Sequence, residues 1–145
     1  MEKYKFPLQK LLNIRIDKED ESKRDFVESQ RQKNIVEENV NMLKFNYKKY
    51  NIKNNDETIA LKKIRDIYLT TLNDHILKGE DELEQKKEAV EIQRIDLKQK
   101  QIERKTVEIL GDKCFAAYNK EINRIEQKEN DEFALYAFVR GLERR

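Results

Sequence analysis

Residues 50–58, which read YNIKNNDET, form the first clear break in a chain that otherwise has very few turn-forming residues. Four of these nine residues are Asn or Asp, which favour turns and helix N-termini because their side chains hydrogen-bond nearby backbone amides. No glycine or proline occurs between Pro7 and Gly79, and Pro7 suits the first turn of a helix. The break therefore predicts one helix over about 7–50, a turn at 51–56 and a second helix over about 57–140, all in a single domain.

The composition supports long helices rather than a compact, layered core. Of the 145 residues, 41% are charged and 37% hydrophobic, and there is one proline and no tryptophan. This bias is typical of long helices that pair along a narrow seam, so the predicted fold class is all-α. Only Gly79 and Gly111 interrupt helix two, and the sequence leaves open whether the helix is continuous there, since an isolated glycine weakens a helix without necessarily ending it. Gly141 is a plausible C-cap.

The apolar residues of the two helices pair in one antiparallel register, in which facing residue numbers add up to 118 or 119. The spacing along helix one is mostly three or four, as a coiled-coil seam requires. The predicted pairs are Leu8–Leu110, Leu12–Val107, Ile16–Ile102, Phe26–Ile92, Val36–Leu83, Leu43–Ile76, Tyr47–Leu72 and Tyr50–Tyr68. The fold is therefore predicted to be an antiparallel two-helix coiled-coil hairpin. Its second helix has a C-terminal overhang of about 30 residues, defined as the part after Leu110. This overhang is marginally stable without a packing partner, because most helical stability comes from packing.

Several function classes find no support in the sequence. The chain has 31 basic and 29 acidic residues, so it does not have the basic excess that is typical of nucleic-acid binders. No apolar run reaches the ~20 residues that a membrane span requires. The N-terminus has no apolar core of a secretory signal, and the single Cys114 fits a reducing compartment. The sequence contains no phosphate-loop, nucleophile or metal-binding motif. His75 suits a position at the edge of the helix seam, and Cys114 suits a small packed side chain. We expect a cytoplasmic protein that is not an enzyme and uses no cofactor or metal.

Two surfaces stand out as candidates for partner binding. The turn-end surface comprises Leu43, Tyr47, Tyr50, Tyr68 and Leu72, and it is either an exposed aromatic site or a well-packed hairpin tip. The C-terminal overhang carries apolar groups that have no partner in the predicted register, so a partner molecule or a second copy would cover them. These groups include Tyr118, Ile122, Ile125, Phe133, Leu135, Tyr136 and Phe138.

The two ends of the chain carry its most specific residue patterns. The N-terminal stretch is FPLQKLLNIR at residues 6–15, with Phe6, Leu8, Gln9, Leu11, Leu12, Ile14 and Arg15. The C-terminal stretch is RKTVEILGDKCFAAYNKEINRIEQKENDEFA at residues 104–134. Its most telling residues are Glu126, Gln127, Lys128, Asp131, Glu132 and Ala134, with Arg104, Lys105 and Tyr118 upstream. The two stretches resemble the ends of the flagellar export proteins of the FliJ family.

The resemblance implies a non-enzymatic stalk and coupling component of the flagellar type III export apparatus, peripheral to the inner face of the cell membrane. The implied partners are the hexameric export ATPase FliI, the cytoplasmic part of the export-gate protein FlhA, and export chaperones. Nucleic acid and direct membrane insertion are not implied. The gate contact corresponds by position to the turn-end surface, with Gly79 at its edge where the family can carry a larger residue. ATPase binding is expected at Tyr118, Ile122, Ile125, Glu126, Gln127, Lys128, Asp131, Glu132 and Phe133.

Two alternatives remain open from the sequence. The chain fits a generic self-associating coiled coil, which would cover the overhang with a second copy. It also fits the equivalent stalk protein of a virulence type III secretion system.

Overall fold

A computed structural model describes residues 4–144 as two α-helices with no strand in that range. Helix α1 spans Gln9–Tyr50 and helix α2 spans Ile59–Glu143. The helices pack against each other as an antiparallel hairpin, and α2 has 85 residues against 42 in α1. The predicted all-α hairpin with a longer second helix is confirmed.

Helix α2 runs without a break through all three glycines. None of them has a positive φ, and the helix ends at Glu143, beyond Gly141. The prediction of a C-cap at Gly141 is therefore wrong. A glycine inside a helix costs only about 1 kcal/mol relative to alanine, which does not end a helix whose next residues, Leu142 and Glu143, form helix well.

The loop that connects the two helices is held by the side chain of Arg65, which lies within α2. Arg65 forms an ion pair with Glu57, and its Nη1 atom donates a hydrogen bond of 3.4 Å to the Ile52 carbonyl. Helix α2 opens with the Lys62 amide bonded to the Thr58 carbonyl at 3.0 Å. Arg65 thus connects the first turns of α2 to the loop that precedes it.

The hairpin divides into two packing units. The tip unit comprises residues 18–100, and the terminal unit comprises residues 4–17 with 101–144. The prediction of a single domain stays a prediction.

In the tip unit, contacts between the helices follow the predicted register. Ser22 Oγ donates a hydrogen bond of 2.7 Å to Asp96 Oδ2, and Lys86 Nζ donates one of 3.2 Å to Gln32 Oε1. The rings of Tyr50 and Tyr68 meet edge to face, with centroids 5.3 Å apart. All three pairs have residue numbers that add up to 118, so these contacts confirm the register of this unit.

Gly79 of α2 faces α1 in the tip unit. Val40, which is only 2% exposed, lies against this glycine, and a Cβ atom added there would stand 2.8 Å from Val40 Cγ2. Leu72 and Ile76 complete the buried apolar positions of the unit. The absence of a side chain at Gly79 is therefore what lets Val40 pack against α2.

The middle of the seam is polar, and one predicted apolar pair does not belong to it. Glu19 and Ser22 are the buried residues there, and Lys23 Nζ lies 2.9 Å from Glu19 Oε1. Ile92 of the tip unit is mostly exposed, so the predicted Phe26–Ile92 pair is wrong. Half-buried Val90, Gln93 and Leu97 occupy this part of α2 instead, because a helix presents residues three and four apart on one face.

In the terminal unit, the N-terminal residues pack on α2. Arg15 forms an ion pair with Glu103, whose residue number follows the same register, and Val107 is buried. Ile102 is 52% exposed, so the apolar pair that was predicted between Ile16 and Ile102 is not buried. The Phe6 ring lies against Gly111, 3.4 Å from the position that a Cβ would take.

Candidate functional site

The turn-end surface is only partly available to a partner. Leu43 and Tyr47 are half-buried, and Tyr50 and Tyr68 are exposed even though their rings touch. Leu72 is 5% exposed and belongs to the core of the tip unit. It cannot offer the contact surface that was predicted for it, because its position in the seam points it towards α1.

Two adjacent recesses flank the exposed side of the tip unit. One is lined by Tyr47, Asp66, Leu69, Thr70 and Asn73, and the other by Lys63, Asp66, Ile67, Thr70 and Thr71. Asp66 and Thr70 are common to both, so the recesses form one continuous surface from Tyr47 to Ile67. The predicted register does not include Ile67, because this residue lies off the seam.

The threonines make this surface less polar than their hydroxyls suggest. Thr70 Oγ1 donates to the Asp66 carbonyl at 2.9 Å, and Thr71 Oγ1 donates to the Ile67 carbonyl at 3.0 Å. Such back-bonding satisfies the hydroxyl within the helix and leaves the methyl group for contact. The surface therefore combines apolar area with the carboxylate of Asp66 and the amine of Lys63.

In the C-terminal overhang, Tyr118 is less free than predicted. Its ring packs on the Tyr4 ring with centroids 4.9 Å apart, and Tyr4 also packs on Phe115 at 5.3 Å. The expectation that Tyr118 has no intramolecular partner is therefore wrong. No sequence pattern indicates this contact, because Tyr4 precedes the helix and belongs to no periodic pattern.

The rest of the predicted ATPase-binding set is open to solvent. Ile122 is half-buried, whereas every residue from 123 to 144 is exposed, and Phe133 is 73% exposed. The exposed members of the set are Ile125, Glu126, Gln127, Lys128, Asp131, Glu132 and Phe133. This segment thus displays apolar side chains that neither α1 nor the N-terminal residues cover.

The exposed part of the overhang also has a recess of mixed character. Glu129, Glu132, Phe133 and Tyr136 line it, and their spacing of three, one and three places them on one helix face. Glu129 is an addition to the predicted set. One helical turn or more upstream, Arg124 Nη2 lies 2.6 Å from Glu121 Oε1, and this hydrogen bond lowers the pKa of the Glu121 carboxyl.

The N-terminal motif residues have mainly structural contacts. Phe6 packs against Gly111, Arg15 pairs with Glu103, and Gln9 Nε2 bonds Asn13 Oδ1 within the same helix at 3.1 Å. Leu11 and Leu12 are half-buried, and Leu8 is exposed.

The described residues hold no group of three or more His, Cys, Asp or Glu side chains that could bind a metal ion. No helix within residues 4–144 combines the length and apolar character needed to cross a membrane. His75 is exposed, and Cys114 is a half-buried free thiol.

Comparison with known proteins gives one match. The family model described as "Flagellar FliJ protein" matches residues 4–143. No curated protein and no solved structure matches the chain. Because the matched range covers nearly the whole chain, the protein belongs to the flagellar FliJ family.

Proposed function

We propose that the protein is a non-enzymatic stalk and coupling component of the flagellar type III export apparatus. In this role it binds the hexameric export ATPase FliI through the C-terminal overhang and the cytoplasmic part of the export-gate protein FlhA through the tip unit. It also assists export chaperones at the inner face of the cell membrane. Membership of the FliJ family supports this setting. The observation that carries the ATPase site is the exposed segment 123–144, whose apolar side chains have no cover within the described chain.

The chemistry of the overhang suits a protein partner. An interface gains most from a few aromatic anchors, with charged groups at the rim. Phe133 and Tyr136 supply the aromatic area, and Glu129 and Glu132 border it. An exposed helix of this kind is stabilised by packing once a partner covers one face.

Matched charge substitutions test the ATPase site. Phe133→Asp places a charge in the recess, whereas Leu135→Asp places the same charge on the opposite side of the helix, at a residue that is also exposed. Phe133→Asp should abolish binding to purified FliI in a pull-down, and Leu135→Asp should retain it. If both variants bind like the unaltered protein, the recess is a solvated helix end. If only Leu135→Asp loses binding, the site lies on the other face.

Truncation after Tyr118 gives a second, independent test. The shortened protein should lose FliI binding but keep the helical circular dichroism of the paired region, because the described contacts between α1 and α2 all precede residue 119. Stimulation of the ATPase by the truncated protein would contradict the assignment.

The gate-protein site is proposed on the surface from Tyr47 to Ile67. The double variant Tyr47→Ala/Ile67→Ala should weaken binding to the cytoplasmic part of FlhA and reduce motility. Met42→Ala is the control, since Met42 is exposed on α1 but lines neither recess. Equal binding by the double variant and the control would assign these residues to tip packing alone.

Self-association is the second candidate, and the uncovered apolar groups of the overhang favour it. Sedimentation at micromolar concentration separates the two functions. A stalk component should be monomeric, whereas a dimer that dissociates on Phe133→Asp substitution would support pairing of two copies.

A further inference from the structure

Residues 4–8, named here the N-terminal strap, lie outside the regular helix and pack on the first turns of the C-terminal overhang. Tyr4 contacts the rings of Phe115 and Tyr118, and Phe6 contacts Gly111. Lys5, between them, is exposed. The strap thus attaches to α2 through two aromatic side chains on alternate residues.

The strap covers part of a longer stripe on α2. Gly111, Phe115, Tyr118, Ile122 and Ile125 follow one another at spacings of four and three, so they share one side of the helix. The first three positions contact the strap, although Phe115 stays 49% exposed and Tyr118 half-buried. Beyond them, Ile122 is half-buried and Ile125 is 47% exposed, with no contact to the described strap. The covered and open parts of the stripe are therefore continuous on a single helix.

The attachment of the strap is weak by two criteria. The Tyr4 hydroxyl is buried without a hydrogen-bond partner, which penalises the closed position because water would satisfy that group. The backbone hydrogen bonds of the described strap are local, from the Gln9 amide to Phe6 and from the Leu12 amide to Leu8, with none to α2. Burial, and secondarily the nearby Cys114 thiol, raises the pKa of Tyr4, in keeping with a hydroxyl held away from water.

We propose that the N-terminal strap is an intramolecular cover that opens to extend the binding stripe of the overhang to its partner. The closed strap restricts the partner to the open part of the stripe. Opening frees the ring surfaces of Phe115 and Tyr118 that contact Tyr4 and increases affinity. This inference rests on the proposed binding of the export ATPase at the overhang, and it adds that the N-terminal residues tune that binding.

The single cysteine of the chain allows strap opening to be measured without any partner. Cys114 is half-buried and directly precedes Phe115, whose ring Tyr4 contacts. Tyr4→Ala/Phe6→Ala should increase the rate at which a thiol reagent labels Cys114 several-fold. Lys5→Ala, the control within the strap, should leave the rate unchanged. An unchanged rate in the double variant would overturn the cover.

Tyr4→Phe should change the labelling rate of Cys114 in the opposite direction to the double variant. It keeps the ring but removes the hydroxyl that has no partner, so the closed strap should become more favourable. Labelling of Cys114 should then slow relative to the unaltered protein. A strap that served only to fill space would not be expected to respond in opposite directions to these two substitutions. Faster labelling of Tyr4→Phe would contradict the reasoning.

Affinity for purified FliI completes the test. It should rise in Tyr4→Ala/Phe6→Ala, fall in Tyr4→Phe and stay unchanged in Lys5→Ala. A fall in the double variant would mean that the strap is part of the binding surface, which overturns its role as a cover. If the unaltered protein does not bind FliI, the proposed function fails and the regulatory role fails with it. The labelling series would still show whether the strap opens.

Discussion

Replacement of Gly79 by alanine should destabilise the tip unit, although the same change stabilises most helices. The added Cβ would stand 2.8 Å from Val40 Cγ2, whereas carbon atoms pack at about 3.5–4.0 Å, so about 1 Å of separation is missing. Val40 is 2% exposed and has little room to move. Overpacking of this kind costs about 1–3 kcal/mol, against a gain in helix propensity of about 1 kcal/mol. The net change in the free energy of unfolding is a loss of about 0–2 kcal/mol.

Gly111→Ala is the matched control in the same helix. Its Cβ would lie 3.4 Å from the Phe6 ring, which is ordinary contact distance, so the helix-propensity gain of about 1 kcal/mol should be kept. Urea unfolding followed by circular dichroism should place the Gly79→Ala variant about 1–3 kcal/mol below the Gly111→Ala variant, since only the former overpacks the seam.

A double-mutant cycle with Val40→Ala isolates the steric origin of the effect. The smaller residue removes the clashing methyl group, so Gly79→Ala should be less harmful, or even stabilising, in the Val40→Ala background. Coupling between contacting residues is commonly about 0.5–3 kcal/mol. Additive effects of the two substitutions would refute the close approach of the helices at this point.

Three further predictions concern polar contacts. Asp96→Ala should lower the free energy of unfolding by about 1–3 kcal/mol because it leaves the buried Ser22 hydroxyl without a partner, and Ser22→Ala should cost less since Asp96 is exposed and regains water. Hydrogen bonding, mainly from Arg31, lowers the pKa of Glu28 from its ordinary 4.5 to about 2. The stabilisation that this pair provides should therefore be present above pH 4.5 and disappear as the pH falls towards 2. Arg31→Ala should return the pKa of Glu28, measured by NMR, towards its ordinary value. Arg65→Ala should speed hydrogen exchange in the first turns of α2, because it removes the bond to the Ile52 carbonyl, and unchanged exchange would show that the loop is fixed without it.

The hairpin and its register could be predicted because they depend on patterns that repeat along the chain. The break at residues 50–58 separates two uninterrupted segments, and a constant sum of residue numbers aligns them. Ser22–Asp96 and Tyr50–Tyr68 then meet at the expected positions. In the middle of the chain it was harder to predict which residues of each helix lie in the seam. There, polar residues such as Gln93 occupy seam positions while Ile92 lies outside.

Features that depend on a single residue could not be predicted. A glycine is compatible with a helix, a cap or a close contact. Gly79 lies against Val40, whereas Gly141 has no neighbour within 4 Å of its Cβ position, and both lie inside α2. Tyr4 lies before the first helix, so no periodicity indicates where its ring packs. Leu72 was assigned to a surface although its pairing position already placed it in the seam, and its burial follows from that position.

The exposed segment 123–144 has a consequence for the lifetime of the protein in the cell. Proteases cleave chains that open locally, and cleavage follows the population of the open form when opening is fast. A helix end without packing neighbours opens at little cost, so unassembled copies should be trimmed there first. Docking of a partner would close this route, and the amount of intact protein would then follow the amount of its partner.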